Sequence, residues 1–327
     1  MSGRRICVLG GGAWGTALAL ATLRAGQPVS LWTRDADAAR SIAAGRNPDY
    51  LPGIDFETGI DAHAELGRSM QGADCILVAT PAQALRQVLG AARPFLADDA
   101  TLVLCAKGIE SATGKLLSAI AAEICPSHRS ATLSGPSFAT DVARGLPTAV
   151  VVAATDESLA AELAARFSTG QFRCYSTDDQ IGVEIGGALK NIFAIAAGAT
   201  IGAGLGASAQ AALVTRGFVE LRRVGAAFGA RPETLMGLSG LGDLLLTCSS
   251  AQSRNFGYGL ALGHGDDLSR RPLAEGVATA GIAARIAADR AIAAPILSAV
   301  ALILDGEMTI QQAVESLMSR PLRSEAE

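Results

Sequence analysis

Apolar residues fall into two textures along the chain. Through the first half they form short runs with no strict polar alternation: ICVLG (6–10), PVSLW (28–32), DCILVAT (74–80), TLVLCAK (101–107), ATLSG (131–135) and TAVVVAA (148–154), with QFRCYS (171–176) as the last. Such runs predict strands buried on both faces. The intervening stretches AWGTALALATLRAG, AQALRQVLGAARPF and KLLSAIAAEI read as helices. Strand and helix in alternation predict βαβ units and a parallel, doubly wound sheet. From about Asp178 the texture changes to long Ala/Leu/Gly-rich segments with no further strand pattern. The expected architecture is therefore α/β: a Rossmann-type domain over residues 1–179 and an all-helical domain over 180–327, divided near 177–182. The terminal PLRSEAE is expected to fray.

Composition narrows the function classes. Half of the 327 residues are hydrophobic but only 4% are aromatic, so the core is built from Ala, Leu, Val and Ile. The net charge of -4 carries no clustered basic face of the kind that nucleic acid requires. Cys7, Cys75, Cys105, Cys125, Cys174 and Cys248 are scattered and form no C-x-x-C pair, which reads as buried thiols in a reducing compartment. His63, His128 and His264 lie too far apart for a local metal motif, and no metal is expected. The opening MSGRRICVLGGG reads as a first strand and not as a signal peptide, which with the cysteine pattern points to the cytoplasm.

The first strand runs into a G-x-G-x-x-G formed by Gly10, Gly12 and Gly15, and an apolar helix follows, the context that a dinucleotide fingerprint requires. Gly10 makes the tight turn, Gly12 lets a pyrophosphate approach the backbone, and Gly15 lets helix pack on strand. The second strand ends in LWTRD, with Arg34 at the place where an NAD-selective site puts a carboxylate. Arginine accepts a 2′-phosphate, so NADPH/NADP is favoured, with NADH/NAD also used.

Lysines mark the chemistry. Lys107 ends the fourth run, and Gly135, Ser137 and Ala139 follow the fifth, all at the carboxyl edge of the sheet where ligands of open α/β sheets bind. From Glu184 to Val214 the one charge after the glutamate is Lys190. On a helix its side chain leans back over Gly186 and Gly187, a bare patch that would leave room for a ligand beside the amine. The run is long enough to span a membrane, but its Gly, Ala, Ser and Gln content argues against insertion. Further on, Asp243 is the one acid between Glu233 and Asp266, and Ser253-Arg254-Asn255 combine a forked cation with polar donors suited to phosphate.

Taken in order, GGGAWG, AKGIE, SGPSFA, GGALKN, GLGDLLLTCSS, SRNFG and AEG resemble the bacterial-type NAD(P)-dependent glycerol-3-phosphate dehydrogenases, from residue 6 to about 280. The resemblance implies reversible reduction of dihydroxyacetone phosphate to sn-glycerol 3-phosphate, feeding glycerophospholipid synthesis. It implies Lys190 as proton acceptor and donor. Lys107, Gly135, Ser137, Asp243, Ser253, Arg254 and Asn255 would line the substrate site with it. Gly10, Gly12, Ala13, Trp14, Gly15, Arg34, Lys107, Ala139, Arg254, Leu273 and Glu275 would meet the coenzyme. It also implies a homodimer, while the charge and the make-up of the Lys190 run leave no expectation of a nucleic-acid partner or a membrane span. A 3-hydroxyacid or ketopantoate-type reductase would share the glycine fingerprint and a helical second domain with a catalytic lysine, but a carboxylate substrate does not call for the SRN segment with Lys107; a regulatory NADPH-binding module would have no use for Lys190, Asp243 and Lys107 together.

Overall fold

The computed structural model of the chain describes residues 5–269, 271 and 274–321; Leu273 and the tail 322–327 lie outside the described residues. Eight strands form one sheet: β1 (Arg5–Leu9), β2 (Val29–Trp32), β3 (Asp61–His63), β4 (Ala73–Val78), β5 (Thr101–Leu104), β6 (Ser130–Ser134), β7 (Thr148–Ala153) and β8 (Phe172–Thr177). Their order is β3-β2-β1-β4-β5-β6-β7-β8. Every neighbouring pair is parallel except β6 and β7, which run antiparallel, with Leu133 opposite Val152. The sheet is thus mostly parallel, where the apolar runs predicted it wholly so. A strand buried on both faces reads alike in either direction, which hides the reversal.

Successive residues of the central strands serve opposite faces. Ile6, Val8, Cys75, Leu77 and Val103 pack with one layer of helices, whereas Cys7, Leu9, Ile76, Val78, Leu102 and Leu104 pack with the other. Those layers come from α1 (Ala13–Arg24), α2 (Ala36–Ala43), α3 (Leu66–Met70), α4 (Leu85–Ala92), α5 (Leu117–Ile124), α6 (Ala139–Ala143) and α7 (Glu157–Phe167). The strand missed in the sequence is β3, whose three residues, Asp-Ala-His, carry no apolar run. All six cysteines are free thiols, five of them buried.

After β8 the chain is helical: α8 (Gln180–Gly202), α9 (Gly206–Ala227), α10 (Pro232–Met236), α11 (Asp243–Ser249), α12 (Arg254–His264), α13 (Glu275–Asp289), α14 (Pro295–Leu304) and α15 (Ile310–Met318). A π-helical turn, Leu238–Gly242, leads directly into α11. Helix α8 is long and apolar enough to cross a membrane, but the protein itself buries nearly all of it. Its Ile185, Leu189, Ile192, Phe193 and Ile195 form the centre of the helical core. It lies almost backbone to backbone on α12: a Cβ on Gly198 would sit 2.1 Å from the Phe256 carbonyl oxygen, and one on Gly259 would sit 2.0 Å from that of Ile195. The first turns of α8 are also tied to the sheet layer. Gln180 donates to Thr132 on β6 at 3.2 Å, and Glu184 accepts the N–H and hydroxyl of Ser118 on α5 at 2.9 and 2.5 Å. This anchoring fixes where Lys190 stands relative to the carboxyl edge of the sheet.

Candidate active site

The strand order reverses between β1 and β4, and the glycine turn lies at that switch point. Gly10 has φ 122°, a left-handed value, and a Cβ there would press 3.0 Å from the Ala79 carbonyl group. On Gly15 a Cβ would lie 1.8 Å from the Gly10 oxygen, so only glycine lets α1 start so close to β1. At Gly12 nothing stands within 4 Å of that position. The first turn of α1 has neither a side-chain cap nor an acidic residue, which leaves its N–H groups and the positive end of the helix dipole for an anion. These residues fit a dinucleotide pyrophosphate. Ala13 and Trp14 stand half-buried at the same turn.

Beyond β2, Arg34 is exposed. Asp35, next to it in the chain, caps α2 by accepting the N–H groups of Asp37 and Ala38 at 2.7 and 3.0 Å. It is therefore committed to the helix, and the arginine is left to meet whatever occupies the end of the strand.

The catalytic candidates converge from three elements. Lys190, 6% exposed on α8, donates to Asp243 Oδ1 at 2.5 Å and to Thr247 Oγ1 at 2.8 Å. Lys107, from the segment after β5, donates to Asp243 Oδ2 at 2.6 Å and to the Gly135 carbonyl at 3.0 Å. Asp243, 1% exposed at the start of α11, therefore binds one ammonium on each oxygen. Burial pushes the Lys190 amine down to about 8; the Asp243 charge opposes that shift and the Lys107 charge adds to it. Burial works against ionisation of Asp243, but the Lys107 and Lys190 charges outweigh it and hold the carboxyl below its ordinary range. Two ammonium groups on one carboxylate leave the cluster with one net positive charge, suited to an oxyanion.

Gly186 and Gly187 do not open a ligand space as expected. A Cβ on Gly186 would lie 2.7 Å from the Ser239 carbonyl oxygen in the π-helical turn; one on Gly187 would lie 2.9 Å from Ser134 Oγ and 3.4 Å from Lys107 Cγ. The bare patch is filled by protein, and it brings the Lys107 and Asp243 segments against α8. The π-helical turn itself belongs here: such turns break the regular ladder and often re-aim a side chain at a site.

The phosphate-binding candidates cluster where α12 begins. Ser253 caps it by accepting the Phe256 N–H at 3.2 Å, and Arg254 follows, exposed. The Asn255 side chain is oriented by two bonds: its amide donates to Asn191 Oδ1 at 2.9 Å and accepts the Gly276 N–H at 2.9 Å. These bonds tie α12 to α8 and α13 and hold Asn255 beside Arg254, the Ser253 hydroxyl and the N–H groups of the first turn, a set of donors suited to an anion. Glu275 lies beside this corner, and burial raises its carboxyl against the pull of Arg254. Gly135 and Ser137 are joined by a 3.1 Å bond from the Ser137 hydroxyl to the Gly135 carbonyl, and Ala139 opens α6 just beyond.

Two members of the cluster escaped the sequence reading. Thr247 lies four residues after Asp243, one helical turn on, and receives the Lys190 amine; that spacing was readable once Asp243 was singled out. Asn191 donates to the Lys107 carbonyl at 3.4 Å, a contact across 84 residues that nothing local announces.

Comparison with known proteins places these features. Residues 5–160 match the family model of the NAD-dependent glycerol-3-phosphate dehydrogenase N-terminus and residues 179–315 that of its C-terminus. The glycerol-3-phosphate dehydrogenase (NAD(P)+) of Mesorhizobium japonicum is 70% identical over 98% of this chain and 94% of its own length. That of a Chelativorans species is 59% identical, over 98% of each. The crystal structure of glycerol-3-phosphate dehydrogenase from Coxiella burnetii superposes with a TM-score of 0.92 at 39% identity, covering 98% of this chain and all of that one. The chain belongs to the NAD(P)-dependent glycerol-3-phosphate dehydrogenase family.

Proposed function

We propose that the protein reversibly reduces dihydroxyacetone phosphate to sn-glycerol 3-phosphate with NADPH or NADH, in a site between a coenzyme domain, residues 1–179, and a helical domain, residues 180–327. The observation that carries this reading is the buried Lys190–Asp243–Lys107 cluster. A bound nicotinamide supplies the hydride. The protein's own task is the charge that appears on the C2 oxygen. The Lys190 ammonium stabilises that oxygen and gives it a proton, and in the reverse direction the neutral amine takes the hydroxyl proton. With a pKa near 8, both forms are accessible around neutral pH. Asp243 and Thr247 hold the amine in one orientation, and the Lys107 charge favours its release of the proton. Arg254, Asn255, Ser253 and the start of α12 hold the phosphate, whose binding energy positions the carbonyl.

Lys190→Ala is expected to lower kcat for NADPH-dependent reduction of dihydroxyacetone phosphate by roughly 10²–10⁴-fold. Near-normal turnover by the purified variant would remove Lys190 from the chemistry. Preference for NADPH rests on exposed Arg34 beside a committed Asp35. Arg34→Asp should then raise the Kd for NADPH much more than that for NADH, and equal losses would defeat the 2′-phosphate reading.

The cytoplasm is the proposed location, supported by the six free thiols, and glycerophospholipid synthesis the proposed use of the product. A homodimer is proposed on the family resemblance and on the large apolar side chains exposed on the helical domain at Leu205, Met236 and Leu245. A single-chain mass by light scattering at assay concentration would dismiss it.

A further inference from the structure

Three consecutive glycines, Gly10 to Gly12, form the turn against which the pyrophosphate would lie, and residues without side chains resist rotation of their peptide planes weakly. The turn is held from outside. Gly10 donates its N–H to the Trp32 carbonyl at 2.9 Å. The Gly11 carbonyl is held by a side chain from a distant loop: Asn47 Nδ2 donates to Gly11 O at 3.0 Å and to Thr16 Oγ1 at 2.8 Å. Asn47 is only 2% exposed. Its loop is itself fixed, by an antiparallel backbone β-bridge between Arg46 and Asp55, by the Leu51 N–H on the Asn47 carbonyl at 2.7 Å, and by Leu51 and Ile54 in the core.

The Gly11 carbonyl and the Gly12 N–H belong to one planar trans peptide and point in opposite directions. With the carbonyl drawn inward by Asn47, the N–H of the same peptide points away from Asn47, and a Cβ on Gly12 would meet nothing within 4 Å. A flipped peptide would turn the negative end of a carbonyl toward the phosphates instead. We infer that Asn47 is a positioning residue for the coenzyme: it locks the Gly11–Gly12 peptide with its N–H directed at the pyrophosphate. It acts through Gly11 without touching the coenzyme. Because NADH and NADPH share the pyrophosphate, loss of Asn47 weakens both by one factor, unlike loss of Arg34.

The inference rests on the coenzyme reading above, which titration of the wild-type protein tests by itself. NADH and NADPH are titrated without substrate, by nucleotide fluorescence, into wild type, Asn47→Ala and Asn47→Asp. Both variants are expected to raise Kd about tenfold or more, by the same factor for the two coenzymes, because the Gly11 carbonyl loses the nearer of its two buried donors and the competent peptide orientation is less populated. At saturating coenzyme the KM for dihydroxyacetone phosphate should change little. Asn47→Asp keeps the volume filled while removing both donors, so it carries the test if the alanine variant does not fold. Thr16→Val, which removes the longer 3.5 Å bond from the Thr16 hydroxyl to the Gly11 carbonyl but leaves the Asn47–Gly11 bond in place, should lose much less. A folded Asn47 variant with wild-type Kd for both coenzymes, or one whose loss falls on NADPH alone, would overturn the positioning role.

Discussion

At the scale of single residues, the site turns on a lysine whose proton is loosely held because it is buried, and on the carboxylate that keeps it from being lost too easily. Burial lowers the Lys190 pKa to about 8, and Asp243 limits the fall. Reduction needs the ammonium, so its kcat should decline as pH rises through about 8; oxidation needs the free amine and should climb over the same interval. Asp243→Asn removes the charge that raises this pKa while Lys107 remains to lower it. The limb for reduction should therefore move to lower pH, and kcat should fall with it. A pH profile measured in both directions decides the matter: an unmoved limb in the asparagine variant would mean that Asp243 does not set the proton affinity of Lys190. Thr247 sharpens the same geometry, since its hydroxyl donates to the Asp243 carbonyl at 2.6 Å and so is turned to accept from the amine.

At the scale of elements, the cluster depends on how closely two segments approach α8. Gly186 meets the π-helical turn that ends at Asp243, and Gly187 meets the stem of Lys107. In Gly186→Ala the new methyl would fall 2.7 Å from a backbone oxygen, so either the helix or the turn must shift. Overpacking of this kind costs about 1–3 kcal/mol. Calorimetry should show that loss, and kcat should drop with it because Asp243 is carried by the turn. Gly90→Ala on α4 is the control: a Cβ there meets nothing within 4 Å, and the substitution should be neutral or stabilising by up to about 1 kcal/mol. A Gly186→Ala protein as stable and active as wild type would show that the contact is slack. These elements also show what could be read beforehand. The apolar runs located seven strands, the fingerprint located the switch point, and one charge in a long apolar run located Lys190. The direction of β7 was hidden by its burial, β3 by its brevity, and Asn47 and Asn191 by partners 31 to 84 residues away. The Gly186–Gly187 patch reads in the sequence as room for a ligand, because a sequence shows a missing side chain without showing what fills its place.

At the scale of the whole molecule, two buried carboxyls tie distant parts together and make stability depend on pH. Glu184 on α8 receives Ser118 at the start of α5, joining the helical region to the sheet layer. Glu220 on α9 receives the N–H groups of Ile296 and Leu297 at 2.8 and 3.0 Å, capping α14. Burial raises each to about 7, and the hydrogen bonds each accepts offset only part of that rise. The sign follows from proton counting. Between the ordinary value of 4.5 and about 7, the folded protein keeps protons that the unfolded chain releases, so stability falls as pH rises across that window and levels off above it. The slope contributed by each carboxyl is at most about 1.4 kcal/mol per pH unit. Arginine-paired carboxylates act in the opposite sense at lower pH: Arg24 holds Glu57, and Arg86 holds Glu110, below the ordinary range, and their contribution is lost as acid protonates them. Maximal stability is therefore expected on the acid side of neutrality, below the pH at which Lys190 titrates. Thermal unfolding between about pH 5 and pH 7 should give a melting temperature that declines for wild type and declines less steeply for Glu184→Gln and Glu220→Gln, with the double variant flattest. Equal slopes in all four proteins would mean that neither carboxyl holds its proton in the folded state, and that both caps are made by carboxylates charged throughout.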